Sequence, residues 1–466
     1  MAKKLTSLMG LAKQDFDGFL MDKDNPVITL RSARLIPMSK PGDEMSLTSV
    51  FLSSLRLIKE FRRDVFSSLK MSKGGTTFVY TEVTFSEFPD SRIDGLILVV
   101  QGGKIKDAAL LEMKNKSNDL EAGQIERYLE IAKRFDIPRL VTVSNQFVSE
   151  PTQFPIPVKK NSKVDLYHFS WSYLLTLAHI LLFKNDNNIE DEDQVEIMRE
   201  VLLYFEHKVS GVCGFTQMKP GLKAVVDNIN AGARLKSTDP AVIETVESWH
   251  QEERDMALIL SRKLGLLVKS GNPKFKNDIN SRRESDINSL LSDKKLSSTL
   301  RVNGAVSDIS INANFEKRNI EMIVQVSPPM DKQVKGQLGW IKRQIERCRD
   351  KSDKVAPDLF GKMSDSLIVE ILLKRTSQHE RVSWSKLDEV YDEIKSKEIK
   401  GFRVILIKDF GKNFSSRVKF VETIEEMLVD YFKGVIQYLE NWDKPSPKVV
   451  ESGSLMEKAG MVLDGV

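Results

Sequence analysis

From about Ser46 to Leu69 (SLTSVFLSSLRLIKEFRRDVFSSL) apolar side chains recur every three or four positions behind a Ser/Thr start, which predicts a single amphipathic helix. Residues 1–45 before it read as an entry segment. The period then changes. TTFVYTEVTF predicts a strand, SEFPDSR a turn and IDGLILVV a second strand rich in β-branched and aliphatic residues. The turn QGGK joins it to a third strand, DAALLEMK, so these two form a hairpin. NKSNDLEAG leads into a helix, QIERYLEIAKRFD, which Pro138 stops, and RLVTVSNQF predicts the next strand. DLYHFSWSYLLTLAHILLF and EDQVEIMREVLLYFEHK are both helical by periodicity, although the first opens on strand-like residues.

The periodicity breaks between Gly211 and Gly232 and resumes from Ala241 to about Lys269 as a long helix or helix pair. FKNDINSRRESDINSLLSDKK, charged and Ser-rich, reads as an exposed connection or a short surface helix. A second pattern follows: strands at AVSDISINANF and NIEMIVQVS, a helix at GQLGWIKRQIERC, strands at DSLIVEILLK and FRVILIKDF, and a closing helix at VETIEEMLVDYFKGVIQYLENW. The expected class is α/β, a mixed sheet flanked by helices, built twice. The expected division is an entry segment (1–45), a first α/β domain (46–220), a helical connector (221–275), a second α/β domain (276–444) and a flexible polar tail (445–466). Glu112-Met113-Lys114 precedes Gly123-Gln124 much as Gln325-Val326-Ser327 precedes Gly336-Gln337. Either the fold is duplicated and the second copy has lost its acid and its lysine, or two generic hairpin-helix units coincide.

Composition narrows the classes. The 466 residues are 41% hydrophobic and 29% charged, which excludes a disordered or fibrous chain and calls for more than one core. A formal charge of +4 is mild for this length, so any nucleic-acid surface is local. Cys213 and Cys348 lie far apart, which supports neither a disulfide framework nor a thiolate zinc site. The N-terminus lacks an unbroken apolar stretch with a cleavage pattern, and the best apolar run, Tyr173 to Phe183, is shorter than the roughly 20 residues a bilayer needs. The reading is a cytoplasmic protein without a membrane span. No GxxxxGK(S/T), GxGxxG or HExxH motif points to a nucleotide motor, a dinucleotide enzyme or a zincin.

The chemistry concentrates on the hairpin. Its strands run antiparallel about Gly102-Gly103, so Asp94, at the start of one, lies across from the Glu112–Lys114 end of the other. Glu112 and Lys114 are two apart and share a face, while Met113 takes the opposite one. Asp94 joins them if the register pairs it with either. These charges sit among Ile93, Leu96, Ile97, Leu98, Val99, Leu110 and Leu111, and charges beside a core need a partner or a metal. Two carboxylates suit magnesium, and a lysine can orient water or stabilise charge on a phosphate. The plain alternative is a cross-strand ion pair between Asp94 and Lys114 on a solvated face.

Asp94, then Glu112-Met113-Lys114 on the next strand, then Gln124 and Tyr128 one helical turn apart, resembles the PD-(D/E)XK (restriction-endonuclease-like) nuclease core of the QxxxY-helix type. The resemblance covers about Ser46 to Phe147, a little over a fifth of the chain. It implies a restriction-endonuclease-like sheet and magnesium-dependent phosphodiester hydrolysis, with manganese as a substitute. It also implies Asp94 and Glu112 as metal ligands, Lys114 positioning the water and Gln124 bracing the site. Glu60 and Glu82 compete for the acidic place on the family's first helix. The literal Pro89-Asp90 falls just before Asp94, in the turn, a departure from the family pattern. DNA is the expected substrate, with a role in restriction or defence; the family includes RNA-cutting and non-cutting members too. The rival reading is a scaffold of nuclease fold that binds a protein partner or a nucleic-acid end, and the second domain is the expected place for a partner or a second copy.

Arg56, Lys59, Arg62 and Arg63 form the densest positive cluster, a stripe for a phosphate backbone or simply a solvated helix face. Lone His168 and His207 read as structural, and Trp171, Trp249 and Trp340 as core. Val143 to Phe147 (VSNQF) ends a strand on polar residues, where α/β sheets place ligand contacts but where caps and turns are commoner.

Overall fold

The computed structural model describes residues 5–21, 27–32, 43–116, 118, 120–146, 151, 152, 154–156, 158, 163–182, 189–271, 275 and 279–442. The tail beyond 444 and Phe147 lie outside these. The chain is mixed α/β with two sheets, of six and seven strands, flanked by helices. It divides into two compact units, and neither is one continuous stretch. Unit 1 is Met1–Gly304, Asp308–Met322 and Ile407–Asp430; unit 2 is Ala305–Ser307, Ile323–Leu406 and Tyr431–Val466.

Unit 1 opens with α1 (Lys13–Met21) and β1 (Ile28–Ser32), so the entry segment supplies an edge strand, paired antiparallel with β2 (Thr76–Phe85). The long helix expected over 46–69 is two, α2 (Glu44–Leu57) and α3 (Lys59–Ser68), broken at Ile58, whose backbone is extended (φ −107°, ψ 105°). Periodicity survives the break because the kink keeps Leu55, Ile58 and Phe61 in one core. β3 (Arg92–Gln101) and β4 (Lys104–Met113) form the expected hairpin, and Gly102 and Gly103 supply the positive φ (59° and 74°) of its two-residue turn. α4 (Ala122–Arg134) crosses over to β5 (Arg139–Ser144), which runs parallel to β4. The segment expected to be helical from Asp165 begins as β6 (Asp165–Ser170), parallel to β5, and only then becomes α5 (Trp171–Leu182). Both faces of β6 are buried, so it lacks the alternation that would distinguish a strand from a helix.

The six strands lie in chain order, an antiparallel meander followed by a parallel half. Strand alternation sorts side chains between two helical layers. Ala109, Leu111 and Met113 pack with α2, α3, α5 and α6 (Glu192–Glu206); Ala108 and Leu110 pack with α1 and α4. The break region holds α7 (Gly221–Asn230), and α8 (Pro240–Leu264) fills the expected long helix. After β7 (Lys269–Ser270), the mixed-charge segment is helix α9 (Ile279–Ser292) rather than an exposed connection. Arg282 is buried against Glu253, and Asp286 contacts His250 at 2.6 Å. The strand β8 (Lys295–Arg301), unforeseen in KLSSTLR, pairs antiparallel with β9 (Ile309–Asn314).

β10 (Asn319–Val326) leads from unit 1 into unit 2, where α10 (Val334–Val355) buries Leu338, Trp340, Ile341, Ile345 and Cys348. A short α11 (Gly361–Ser364) precedes β11 (Leu367–Leu373), which pairs antiparallel with β12 (Glu380–Ser383) and, beyond α12 (Tyr391–Ile394), with β13 (Ile399–Asp409). α13 (Arg417–Gly434) closes the order of helices. The two helix-following strands differ: β5 pairs in parallel with β4, whereas β11 has only antiparallel partners, β12 and β13.

Candidate active site

The β3–β4 ladder ends at the pair Gly95 and Leu111; one step further along the register, Asp94 faces Glu112. Beyond that last pair the Met113 N–H is taken by the Asp94 side chain, whose Oδ2 accepts it at 2.7 Å. The carboxylate thus replaces a ladder bond, and its aim is fixed by the backbone of the strand that carries Glu112 and Lys114.

Glu112 is 1% exposed and Lys114 is half-buried; their Oε1 and Nζ stand 2.7 Å apart. Despite that ion-pair distance, neither Glu112 oxygen receives a hydrogen bond of good geometry. Lys114 is held from behind: its N–H donates to Val143 O at 2.8 Å, and its carbonyl accepts from the Trp171 indole at 2.8 Å. A fourth charge joins at the start of α2. Glu44 Oε2 lies 3.7 Å from Lys114 Nζ, while Glu44 Oε1 accepts from Asn118 Nδ2 at 2.8 Å. Burial raises the Asp94 carboxyl above the usual range, against the opposing pull of the Met113 N–H and Lys114. Burial raises Glu112 as well, and the adjacent Asp94 charge adds to it. Burial alone would lower the Lys114 ammonium, but Glu112, Glu44 and Asp94 together raise it, so it keeps its proton. One cation is shared among three acids.

Gln124 and Tyr128 stand one turn apart on α4, on the layer that faces Glu112. Gln124 Nε2 donates to Tyr128 Oη at 3.0 Å, and Tyr128 Oη donates to the Arg92 carbonyl at 2.7 Å, two residues before Asp94. Burial, and then the Glu112 charge, push the Tyr128 hydroxyl up to about 12. This relay pins α4 to the start of β3. Of the two acids expected to compete for a further acidic place, Glu60 is buried in α3 with Oε2 unpartnered and forms no ion pair with Lys114. Glu82 pairs with Arg92 at 3.1 Å across the sheet, at a bulge where its φ is +56°. The further acid that the structure brings to Lys114 is Glu44, which sequence reasoning missed; its signal, an acid opening the helix at Asp43-Glu44, was hidden by starting that helix at Ser46. Asp90 is exposed in the turn.

The basic stripe does not stay whole. Arg56, Lys59 and Arg63 are exposed, but Arg62 Nη1 turns back to donate to the Leu55 and Arg56 carbonyls at 3.0 Å each, closing the end of α2 at the break. His168 is buried, with Nδ1 2.8 Å from Thr142 Oγ1 and Nε2 2.8 Å from the Gln146 carbonyl, a structural histidine. His207 is exposed and accepts from the Val209 N–H. Trp171, Trp249 and Trp340 are buried. Asn145 holds loops together, donating to the Lys116 and Gly211 carbonyls. In unit 2, Gln325 is exposed and its N–H donates to Ser307 Oγ, while Gln337 donates to the Pro329 carbonyl.

Among the described residues no three His, Cys, Asp or Glu side chains close into a metal-holding group. A site with fewer protein ligands still fits: magnesium commonly takes one or two carboxylates and completes its shell with water and phosphate oxygens. Glu112, with both oxygens buried, has the character of such a ligand, and Asp94 beside it would supply a second. No helix among the described residues is long and apolar enough to cross a membrane. No family model, curated protein or solved structure matches the chain.

Proposed function

We propose that this chain is a metal-dependent nuclease of the PD-(D/E)XK type that hydrolyses phosphodiester bonds of DNA, with a restriction-endonuclease-like core over β2 to β5. The observation that carries the reading is Glu112: a carboxylate 1% exposed, its Oε1 2.7 Å from the Lys114 ammonium, beside a second buried acid on the same sheet face. A carboxylate so placed is costly unless it meets a cation or keeps its proton, and a single ammonium shared with Glu44 and Asp94 does not balance all three in their charged forms. Asp94 and Glu112 would hold magnesium, or manganese in its place, which supplies a Lewis acid toward phosphate oxygen and a more acidic bound water. Lys114 presents a fixed positive charge where negative charge builds on the phosphate, and Gln124, through Tyr128, keeps α4 and β3 in register. Arg56, Lys59 and Arg63 are the exposed candidates for backbone contacts.

One observation favours the scaffold reading: Lys114 already sits 2.7 Å from Glu112, as in a structural ion pair. Incubating the purified protein with linear, circular and single-stranded DNA and with RNA, in magnesium, manganese or EDTA, separates the two. Cleavage that needs the divalent ion and disappears in Glu112→Gln supports the nuclease. Binding without cleavage under every condition supports the scaffold.

A further inference from the structure

Unit 2 contains a cavity of about 330 Å³ lined by Gln325, Leu372, Leu373, Lys374, Arg375, Thr376, His379, Lys400 and Arg403. Five of the nine side chains are basic or imidazole and none is acidic. The nearby carboxylates are spoken for. Glu370 is bound by Arg403 (2.8 Å) and Arg381 (2.7 Å), and Glu398 by Lys374 (3.2 Å). Lys400 and Arg375 have no acidic partner among the described residues, so the cavity carries uncompensated positive charge.

The backbone aims these two side chains. Between β11 and β13 the register slips: Leu372 pairs with Gly401 and Leu373 with Ile399, leaving Lys400 as the extra residue of a bulge. Bulges of this kind re-aim a side chain out of the ladder. Arg375 occupies the left-handed region (φ +59°), which favours glycine, yet an arginine stands there. His379 accepts the Leu373 N–H at Nδ1, which leaves its Nε2 as a donor. Thr376 and Gln325 add neutral donors at the rim.

We infer that this cavity is a binding site for a terminal nucleotide phosphate, with room for no more than one nucleotide, held by Lys400, Arg375 and Arg403. Its volume lies at the small end of ligand pockets. Its charge and forked arginine donors suit an oxyanion. No Phe, Tyr or Trp lines it, and the His379 imidazole is the one ring in the lining, so recognition rests on the phosphate more than on the base. The inference is independent of the nuclease reading, since every residue belongs to unit 2.

The phosphate has two sources, a free nucleotide or a strand end, and titration of the full-length protein distinguishes them. The probes are inorganic phosphate, adenosine 5′-monophosphate, adenosine, and a short oligodeoxynucleotide with and without a 5′-phosphate, read by calorimetry in EDTA. Lys400→Gln combined with Arg375→Gln changes two exposed side chains, and Lys400→Arg serves as the charge-keeping control. The expected result is binding of adenosine 5′-monophosphate, none of adenosine, and a loss of at least tenfold in the double variant but not in Lys400→Arg. Binding of the 5′-phosphorylated oligonucleotide alone, lost in the same variant, also supports the site and assigns it to a strand end. No binding by any phosphate probe at millimolar concentration, or affinity unchanged in the double variant, overturns it.

Discussion

Asp94 Oδ2 accepts the main-chain N–H of Met113 at 2.7 Å, so one carboxylate both faces the site and replaces a ladder hydrogen bond. These two tasks separate by substitution. Asp94→Asn keeps an acceptor for Met113 and should unfold close to the parent temperature, whereas Asp94→Ala leaves a buried donor unpaired at a cost of about 1–3 kcal/mol. Both should lose metal-dependent cleavage, since neither offers a carboxylate. Thermal unfolding alongside a cleavage assay tests this; cleavage retained by either variant removes Asp94 from the metal site.

Lys114 reaches Glu112 at 2.7 Å and Glu44 at 3.7 Å while its backbone is tied to Val143 and Trp171. Lys114→Met should cost stability, since it leaves Glu112 buried without its cation, yet keep DNA affinity nearly unchanged and slow single-turnover cleavage by roughly 10²-fold or more, because the contact strengthens as charge develops on the phosphate. Lost affinity with unchanged chemistry would make Lys114 an electrostatic docking residue.

The basic cluster divides by role. Arg62→Ala removes two hydrogen bonds to the Leu55 and Arg56 carbonyls and should destabilise the protein by about 1–3 kcal/mol, as for hydrogen bonds from charged donors. Arg56→Ala and Arg63→Ala should leave stability alone and weaken DNA binding, each lowering the salt slope by about 1 if the side chain meets a phosphate. Denaturant melts and salt titrations of the three variants provide the comparison; equal salt slopes in all of them would exclude this stripe as the DNA surface.

Glu252 lies fully buried in α8 with neither oxygen hydrogen-bonded, and burial, then the charges of Glu425 and Asp255, raise its carboxyl well above the usual value. A carboxyl raised in the folded state contributes stability that is complete below its unfolded value, about 4.3, and is lost as pH climbs toward the folded one. Glu252→Gln should therefore raise the unfolding temperature, and the difference from the parent should widen between pH 5 and pH 8. A difference that is flat or narrows over that interval would contradict it.

The hairpin was legible because its signals are local: two glycines that tolerate positive φ, alternation along each strand, and an ExK spacing that the pleat turns into a shared face. The register of Asp94 was narrowed only to Glu112 or Lys114, because both faces of these strands are buried and burial does not choose between them; the ladder sets Asp94 opposite Glu112. What escaped depended on tertiary context. Asp165–Ser170 is a strand only because β5 lies beside it, and the break at Ile58 is marked by no glycine or proline. KLSSTLR was masked by its charged ends although Leu296, Ser298 and Leu300 alternate inward. Glu44 escaped for a different reason. Its role depends on where a helix end meets a strand end 70 residues later, at Lys114, and no spacing along the chain encodes that meeting.

The interrupted composition of unit 1 sets a timetable for its synthesis. Its core is not finished at Gly304: Phe420 packs against Trp249, with ring centroids 6.4 Å apart, and Arg417 Nε donates to the Met218 carbonyl at 2.6 Å. A nascent chain that has reached Gly304, with every residue of the Asp94–Glu112–Lys114 site already made, must still wait for residue 430, on the order of 10 s of translation at usual speeds. During that interval Trp249 and the buried acids of α8 lack their last covering, and the emerging polypeptide is at its most vulnerable to proteases and to chaperone capture.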